Sequence, residues 1–159
     1  MKNKLIAVSV LLASLFATTA QAAPDCVGTP KPFFTQVNEI QWKWNDSMKA
    51  YEYLICGDAK TPGKPFKQML KFGANYVGVR HNHPVDRVVM LISGKWTSTT
   101  YDGVNGSPVD HPLINAGDNY YESENYDHSF VVGPEGALIV VDGWTGPNKR
   151  NEPNYKHED

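Results

Sequence analysis

The sequence predicts an all-β domain of the barrel or sandwich kind, and three observations carry that expectation. From Gly73 onward the chain runs in short stretches rich in Val, Ile, Tyr and Phe. Turn residues separate them: Asp102-Gly103, Asn105-Gly106, Ala116-Gly117-Asp118 and Gly133-Pro134-Glu135-Gly136. In Arg87 to Ile92 and Ala137 to Asp142 nearly every position is apolar, the pattern of strands covered on both faces. Evenly spaced short strands with such punctuation argue against a helical domain.

Lys2 and Lys4, the apolar run from Leu5 to Phe16 and the small residues of Ala20-Gln21-Ala22 have the form of a secretory leader, so residues 1–22 are expected to be cleaved as a signal peptide. The run falls short of the roughly 20 apolar residues of a membrane span. Cys26 follows Ala23-Pro24-Asp25 rather than a lipobox, so no membrane anchor is expected. The remaining chain of about 137 residues suffices for one domain with a continuous core. Without Lys2 and Lys4 the 15 basic residues fall to 13 against 17 acidic ones, a formal charge of −4 that offers nothing to a nucleic acid or an anionic membrane. The expected location is the periplasm or the exterior, where Cys26 and Cys56 pair as a structural disulfide. A reactive or metal-binding thiol pair, the alternative, lacks CxxC spacing.

An N-terminal arm, residues 23–41, precedes the barrel domain, 42–147, and a polar, aperiodic tail, 148–159, follows it. Trp42 and Trp44 alternate with Gln41 and Lys43, and Tyr51, Tyr53 and Ile55 recur at period two, so both stretches are expected as strands. Asn45 to Tyr51 also admits a helical turn. Asn75 to His83 is a further strand, and it contains the sharpest local feature, Val77-Gly78-Val79-Arg80-His81-Asn82-His83-Pro84. On a regular strand Val77, Val79, His81 and His83 share one face. Two imidazoles on an apolar face need partners or a ligand, and an i, i+2 pair can direct two nitrogens at one metal. Two satisfied surface histidines at a strand end are the plainer alternative.

The spacing around this pair adds weight to the metal. The segment from His81 to Gly94 resembles the first signature of the cupin superfamily: HxH, three or four residues, a Glu, six residues and a Gly. The stretch from Gly117 to His128 is similar in spacing to the second signature, with Ser123 and Asn125 in place of its turn Pro and Gly. Gly57-Asp58, Pro62-Gly63, Pro65-Phe66, Leu91-Ile92-Ser93-Gly94 and Gly143-Trp144-Thr145-Gly146-Pro147 look like landmarks of small single-domain bacterial cupins, so the likeness spans roughly residues 42 to 147. The resemblance implies a double-stranded β-helix, or jelly-roll, barrel with His81, His83 and His128 gathered inside around a divalent transition metal: Fe, Mn, Ni, Zn or Cu. It also implies a small-molecule ligand or substrate, and it is compatible with a homodimer.

One position departs from the signature: Arg87 stands where the Glu ligand belongs. A guanidinium ~6 Å from a metal, at an effective dielectric of ~20, repels a dication by ~6 kcal/mol. Asp86, Glu122 and Glu124 are the residues expected to neutralise it, and Glu122 or Glu124 is able to replace the missing carboxylate. Three arrangements stay open. The first is a three-histidine metal site, as in cupins of the thiol-dioxygenase and diketone-cleaving kinds, with Arg87 receiving a substrate carboxylate or enolate. It would serve dioxygenase, isomerase, lyase or decarboxylase chemistry on a small organic acid or related oxygenated compound. The second is a non-catalytic, metal-free pocket binding a small anion or sugar. The third is a residual site with Arg87 turned outward to Asp86. The catalytic candidates are Arg87, Glu122 and Tyr121.

Other residues read more plainly. His111, in Val109-Asp110-His111-Pro112, is expected in a loop and His157 in the tail. Tyr120, Tyr121 and Tyr126 near His128 read as barrel packing, with one as an acid–base or substrate contact the alternative. Trp96 and Trp144 read as core or barrel-edge residues. No GxxxxGK[ST], GxGxxG or GxSxG pattern is present.

Overall fold

The computed structural model describes residues 23–26, 35–61, 63–102 and 106–144. The expected leader, 1–22, and the expected tail, 148–159, lie outside the described residues. Among the described residues a 3-10 turn, Val37–Glu39, precedes nine strands: β1 Lys43–Asn45, β2 Ala50–Gly57, β3 Pro65–Phe72, β4 Val77–His81, β5 Arg87–Tyr101, β6 Pro108–Asp110, β7 Ile114–Asn115, β8 Asn119–Glu122 and β9 His128–Trp144. All pair antiparallel in one sheet, as the all-β expectation requires.

β1 and β2 form a hairpin with Asn45 opposite Ala50. The Asn45 side-chain oxygen accepts from Ser47 Oγ at 2.7 Å and from Met48 N at 3.1 Å, closing a tight turn. Of the two readings of Asn45 to Tyr51, the strand pair is the one adopted.

β5 and β9 are far longer than the apolar runs within them. Along their ladder Gly94 pairs with Ala137 and Trp96 with Val132, so one residue of β5 stands against Gly133-Pro134-Glu135-Gly136. Those four residues, expected as a turn between strands, form a bulge inside one strand. A bulge bends its strand and increases the twist, and Gly94 and Gly136 supply the positive φ values of 89° and 79°. Across the bend β9 changes partners, from β4 (Val77↔Val131) to β3 (Phe72↔Ala137). β5 changes partners too, from β8 over Arg87–Met90 to β7 and β6 from Lys95 onward. Two bent strands thereby connect two halves of the sheet around one core.

The inner face carries Phe66, Leu70 and Phe72 of β3, Val89, Leu91 and Trp96 of β5, and Phe130, Val132, Ile139 and Val141 of β9, all buried in one cluster. Each of the aliphatic and Phe side chains contributes about 1.5–3 kcal/mol on burial. The Phe130 ring stacks on Trp96 with centroids 4.1 Å apart. It also lies against Gly78, where a Cβ would sit 2.3 Å from the ring. The outer face corrects an expectation. Val88, Met90 and Ile92 are 42%, 43% and 42% exposed, so the run from Arg87 to Ile92 is covered on one face only. An antiparallel sheet can leave one face to solvent, unlike a parallel one.

Cys26 and Cys56 form a disulfide with Cα atoms 5.1 Å apart. Gly57 N also donates to the Pro24 carbonyl at 2.7 Å, so residues 23–26 are fastened to the end of β2. The cysteines are 30 residues apart, and closing a loop of that length removes unfolded-chain entropy worth about 3–4 kcal/mol. Reduction should lower stability by about that amount in urea titration; an unmoved midpoint would show that the tie contributes nothing. Gly94→Ala should cost about 2–4 kcal/mol, because its Cβ meets the Gly136 carbonyl oxygen at 2.0 Å at positive φ. Gly117→Ala, at φ +96° with open space around it, should cost only about 1 kcal/mol. Equal losses would mean that the bend does not depend on the close approach.

Candidate metal centre

The histidine pair owes its placement to a bulge. Gly78 pairs with Phe130 and His81 with His128, three steps along β4 against two along β9. The extra residue reverses the alternation. Val77 and Val79, expected on the histidine face, are 61% and 53% exposed. Gly78 is buried, and His81 turns inward to lie 6.3 Å from the Phe130 ring.

His83 lies two residues past the end of β4, where Asn125 N donates to its carbonyl at 2.7 Å. His128 begins β9 and is buried. The imidazole centroids are 4.7 Å (His81–His83), 4.4 Å (His81–His128) and 5.1 Å (His83–His128) apart. One nitrogen from each ring lies within 4.8 Å of the others. Nitrogens bound at about 2.1 Å to a common ion stand roughly 3–4 Å apart, so modest ring rotations suffice to share one. His81 Nδ1 is 2.7 Å from the Val79 carbonyl and His128 Nδ1 is 3.2 Å from the Tyr126 carbonyl. A carbonyl only accepts, so in each neutral ring Nδ1 carries the proton and Nε2 keeps its lone pair, the form that binds metal.

Glu122 completes the cluster from the neighbouring strand. It pairs with Arg87 across the β5–β8 ladder and is buried. Its Oε2 accepts from Arg87 Nε at 2.8 Å and from Arg87 Nη2, and its Oε1 accepts from the Tyr120 hydroxyl. The same two oxygens lie 3.7 Å from His83 Nε2 and 3.4 Å from His128 Nε2. Burial raises the Glu122 pKa, but Arg87, His128 and the Tyr120 hydroxyl outweigh it, and the net shift is downward. The carboxylate is therefore ionised, and at 3.4 Å from His128 Nε2 it favours a cation there, a proton on the ring or a metal. Burial and the adjacent Glu122 charge push Tyr120 well above its ordinary value, so its hydroxyl stays a donor.

Of the catalytic candidates, Arg87 and Glu122 are in the cluster and Tyr121 is not. Tyr121 is 61% exposed, and the neighbouring Asp86 carboxylate raises its pKa. Alternation along β8 sends Tyr120 and Glu122 inward and Tyr121 outward. The tyrosine that touches the site is thus Tyr120, and its signal in the sequence was its place two residues before Glu122 on one strand. Arg87 does not turn out to Asp86, so the residual arrangement is not adopted. Asp86 is exposed and accepts instead from Glu124 N at 2.8 Å. The Glu124 carboxylate accepts from Asn125 Nδ2 at 3.0 Å. His111 Nε2 meets the Thr100 hydroxyl at 2.8 Å on the surface, and His157 lies outside the described residues. Trp96 is in the core, whereas Tyr126 and Trp144 are exposed.

No protein-family model and no curated protein matches the sequence. Solved structures do match the fold. KdgF from Halomonas sp. is 16% identical at a TM-score of 0.55, over 76% of this chain and 99% of that one. An RmlC-like cupin from Shewanella frigidimarina is 14% identical at 0.55, over 74% of this chain and 95% of that one. A variant of oxalate decarboxylase from Bacillus subtilis is 15% identical at 0.54, over 76% of this chain and 31% of that one. The fold is that of the cupin superfamily; at such identities the likeness does not carry the chemistry with it.

Burial, then the nearby His128, push His81 down from 6.5 to about 4. Between those values the unfolded chain binds a proton that the folded, metal-free protein refuses. Stability is therefore full above pH ~6.5 and falls by about 3 kcal/mol as the pH drops toward 4. Glu122, shifted downward, adds its own loss only as the pH falls through the carboxylate range. Urea titrations of chelator-treated protein at about pH 7, 5.5 and 4.5 should show this slope, and His81→Asn should remove its first part. A flat wild-type profile over that range would mean that the imidazole is not desolvated.

Proposed function

We propose that this protein is an exported cupin that holds one divalent transition metal (Fe, Mn, Ni, Zn or Cu) through His81, His83 and His128. In this reading it acts on a small organic acid or a related oxygenated compound. The observation that carries it is the convergence of three imidazole nitrogens within 4.8 Å, beside a buried, ionised carboxylate. The disulfide fits an oxidising compartment and supports export.

The donor set suits the metal. Neutral imidazoles favour Zn, Cu, Fe and Ni, and a carboxylate extends the range to Mn. A bound ion would supply Lewis acidity toward an oxygen of a chelating ligand. The protein's own groups do the rest. Glu122 places a negative charge against Arg87 and so offsets the repulsion of ~6 kcal/mol that the guanidinium alone would exert on a dication. Arg87 and Tyr120 hold that carboxylate at the histidines. The arrangement amounts to a transposition, in which the carboxylate missing from position 87 comes from the residue paired with it on β8.

Arg87 engages Glu122 through Nε and Nη2. A guanidinium so occupied does not favour the first arrangement's use of Arg87 as a receptor for a substrate carboxylate, nor the metal-free pocket built on the same residue.

Chelator-treated protein offered Fe, Mn, Ni and Zn salts should take up about one ion per chain; uptake of none would overturn the reading. His128→Ala should weaken zinc binding at least ~100-fold and Glu122→Gln ~10–100-fold in competition titrations. Exchanging the pair, Arg87→Glu with Glu122→Arg, should recover most of what Glu122→Arg alone loses, because the charges return to one rung of the ladder. An exchanged protein no better than Glu122→Arg would mean that the carboxylate acts only from β8.

A further inference from the structure

The three histidines sit where a regular ladder ends. β4 stops at His81, and His83 lies beyond it, tied to the neighbouring segment by its carbonyl. Backbone pairing alone leaves the distance from His83 to His128 weakly determined. The residues that alternate with the histidines, Arg80 and Asn82, both reach Asp127, the residue immediately before His128. Arg80 Nε and Nη2 donate to Asp127 Oδ2 at 2.9 and 2.8 Å, and Asn82 Nδ2 donates to Oδ1 at 2.7 Å. Each carboxylate oxygen thus serves one flank of His81. The guanidinium is braced by the Tyr101 ring, 4.1 Å below it, and the Asp127 carbonyl accepts from Tyr101 N at 3.0 Å. Side-chain exposures of 32% for Arg80 and 20% for Asp127 place the pair near the surface. Ion pairs in such places contribute little stability, so geometry is the better account of this two-armed arrangement.

We propose that Asp127 is a positioning residue for the metal centre: its carboxylate clasps the His81–His83 segment to the start of β9 and thereby sets the spacing of the three imidazoles on the opposite side. This inference rests on the metal reading above. It predicts that the clasp affects how well the site binds more than how well the chain folds.

The test is zinc affinity by competition titration, together with the visible absorption of the cobalt-loaded protein, which reports ligand geometry. Asp127→Ala should weaken zinc binding about 10–100-fold, the range found for groups that orient metal ligands, and should shift or weaken the cobalt bands. Asp127→Asn, which keeps an acceptor oxygen, should recover part of both. Gly117→Ala, which destabilises the fold away from the cluster, should leave both unchanged. Should Asp127→Ala fail to fold, Asn82→Ala removes one arm only and should give a smaller loss in the same direction. Wild-type protein that binds neither zinc nor cobalt would overturn the metal reading and the clasp together. Wild-type binding, with Asp127→Ala or Asn82→Ala within about twofold of it and unchanged cobalt bands, would overturn the clasp alone.

Discussion

The buried ion pair between Arg87 and Glu122 is the constraint on which the site depends. Two charges removed from water are tolerable only together; breaking such a pair typically costs 3–5 kcal/mol, because the survivor is left without compensation. The pair spans one rung of the β5–β8 ladder, so its geometry is inherited from backbone pairing and not from flexible side chains alone. The Tyr120 hydroxyl satisfies the second carboxylate oxygen. With the positive charge at position 87 matched locally, the imidazoles converge beside a neutralised guanidinium and not a bare one.

Irregularities in the sheet bring the remaining pieces to that rung. The bulge of Gly133–Gly136, with Lys95 opposite and Gly94 beside it, lets β5 and β9 each serve both halves of the sheet. The smaller bulge on β4 turns His81 inward when its neighbours by alternation, Val77 and Val79, face solvent. Without that extra residue, Arg80 would take the inner position. Both departures from regular pleating therefore act on the site, in keeping with the tendency of bulges to re-aim side chains beside functional groups.

Much of this was legible in the chain. The all-β class followed from short apolar runs and their punctuation, and the grouping of His81, His83 and His128 was what the resemblance to the two cupin signatures implied, a resemblance carried by their spacing even where the signature residues differ. Local patterns misled where a long-range partner decides the outcome. Gly133-Pro134-Glu135-Gly136 has the composition of a turn, but its neighbours pair with β5 on both sides, so it is a bulge. Alternation counted from Val77 fails at His81, because the slip is visible only against β9. Tyr121 and Tyr120 are adjacent in sequence, and only the register of β8 says which one faces inward. Asp127 carried no signal, since its role exists only once Arg80 and Asn82 lie beside it.

The substitution at position 87 illustrates why a signature encodes geometry more durably than chemistry. Residues paired across a ladder have Cβ atoms about 4.5–5.5 Å apart. A long side chain such as Glu reaches nearly the same point in space from either strand. A carboxylate required near three histidines can thus come from β5 or from β8. The residue left opposite is then free to become the cation that holds it. Seen from the sequence, Arg87 reads as the loss of a ligand and the arrival of an adverse charge. Seen from the sheet, Arg87 and Glu122 together place a carboxylate beside the imidazoles and supply a guanidinium that keeps it ionised. The charge at a signature position cannot be judged apart from the residue paired with it.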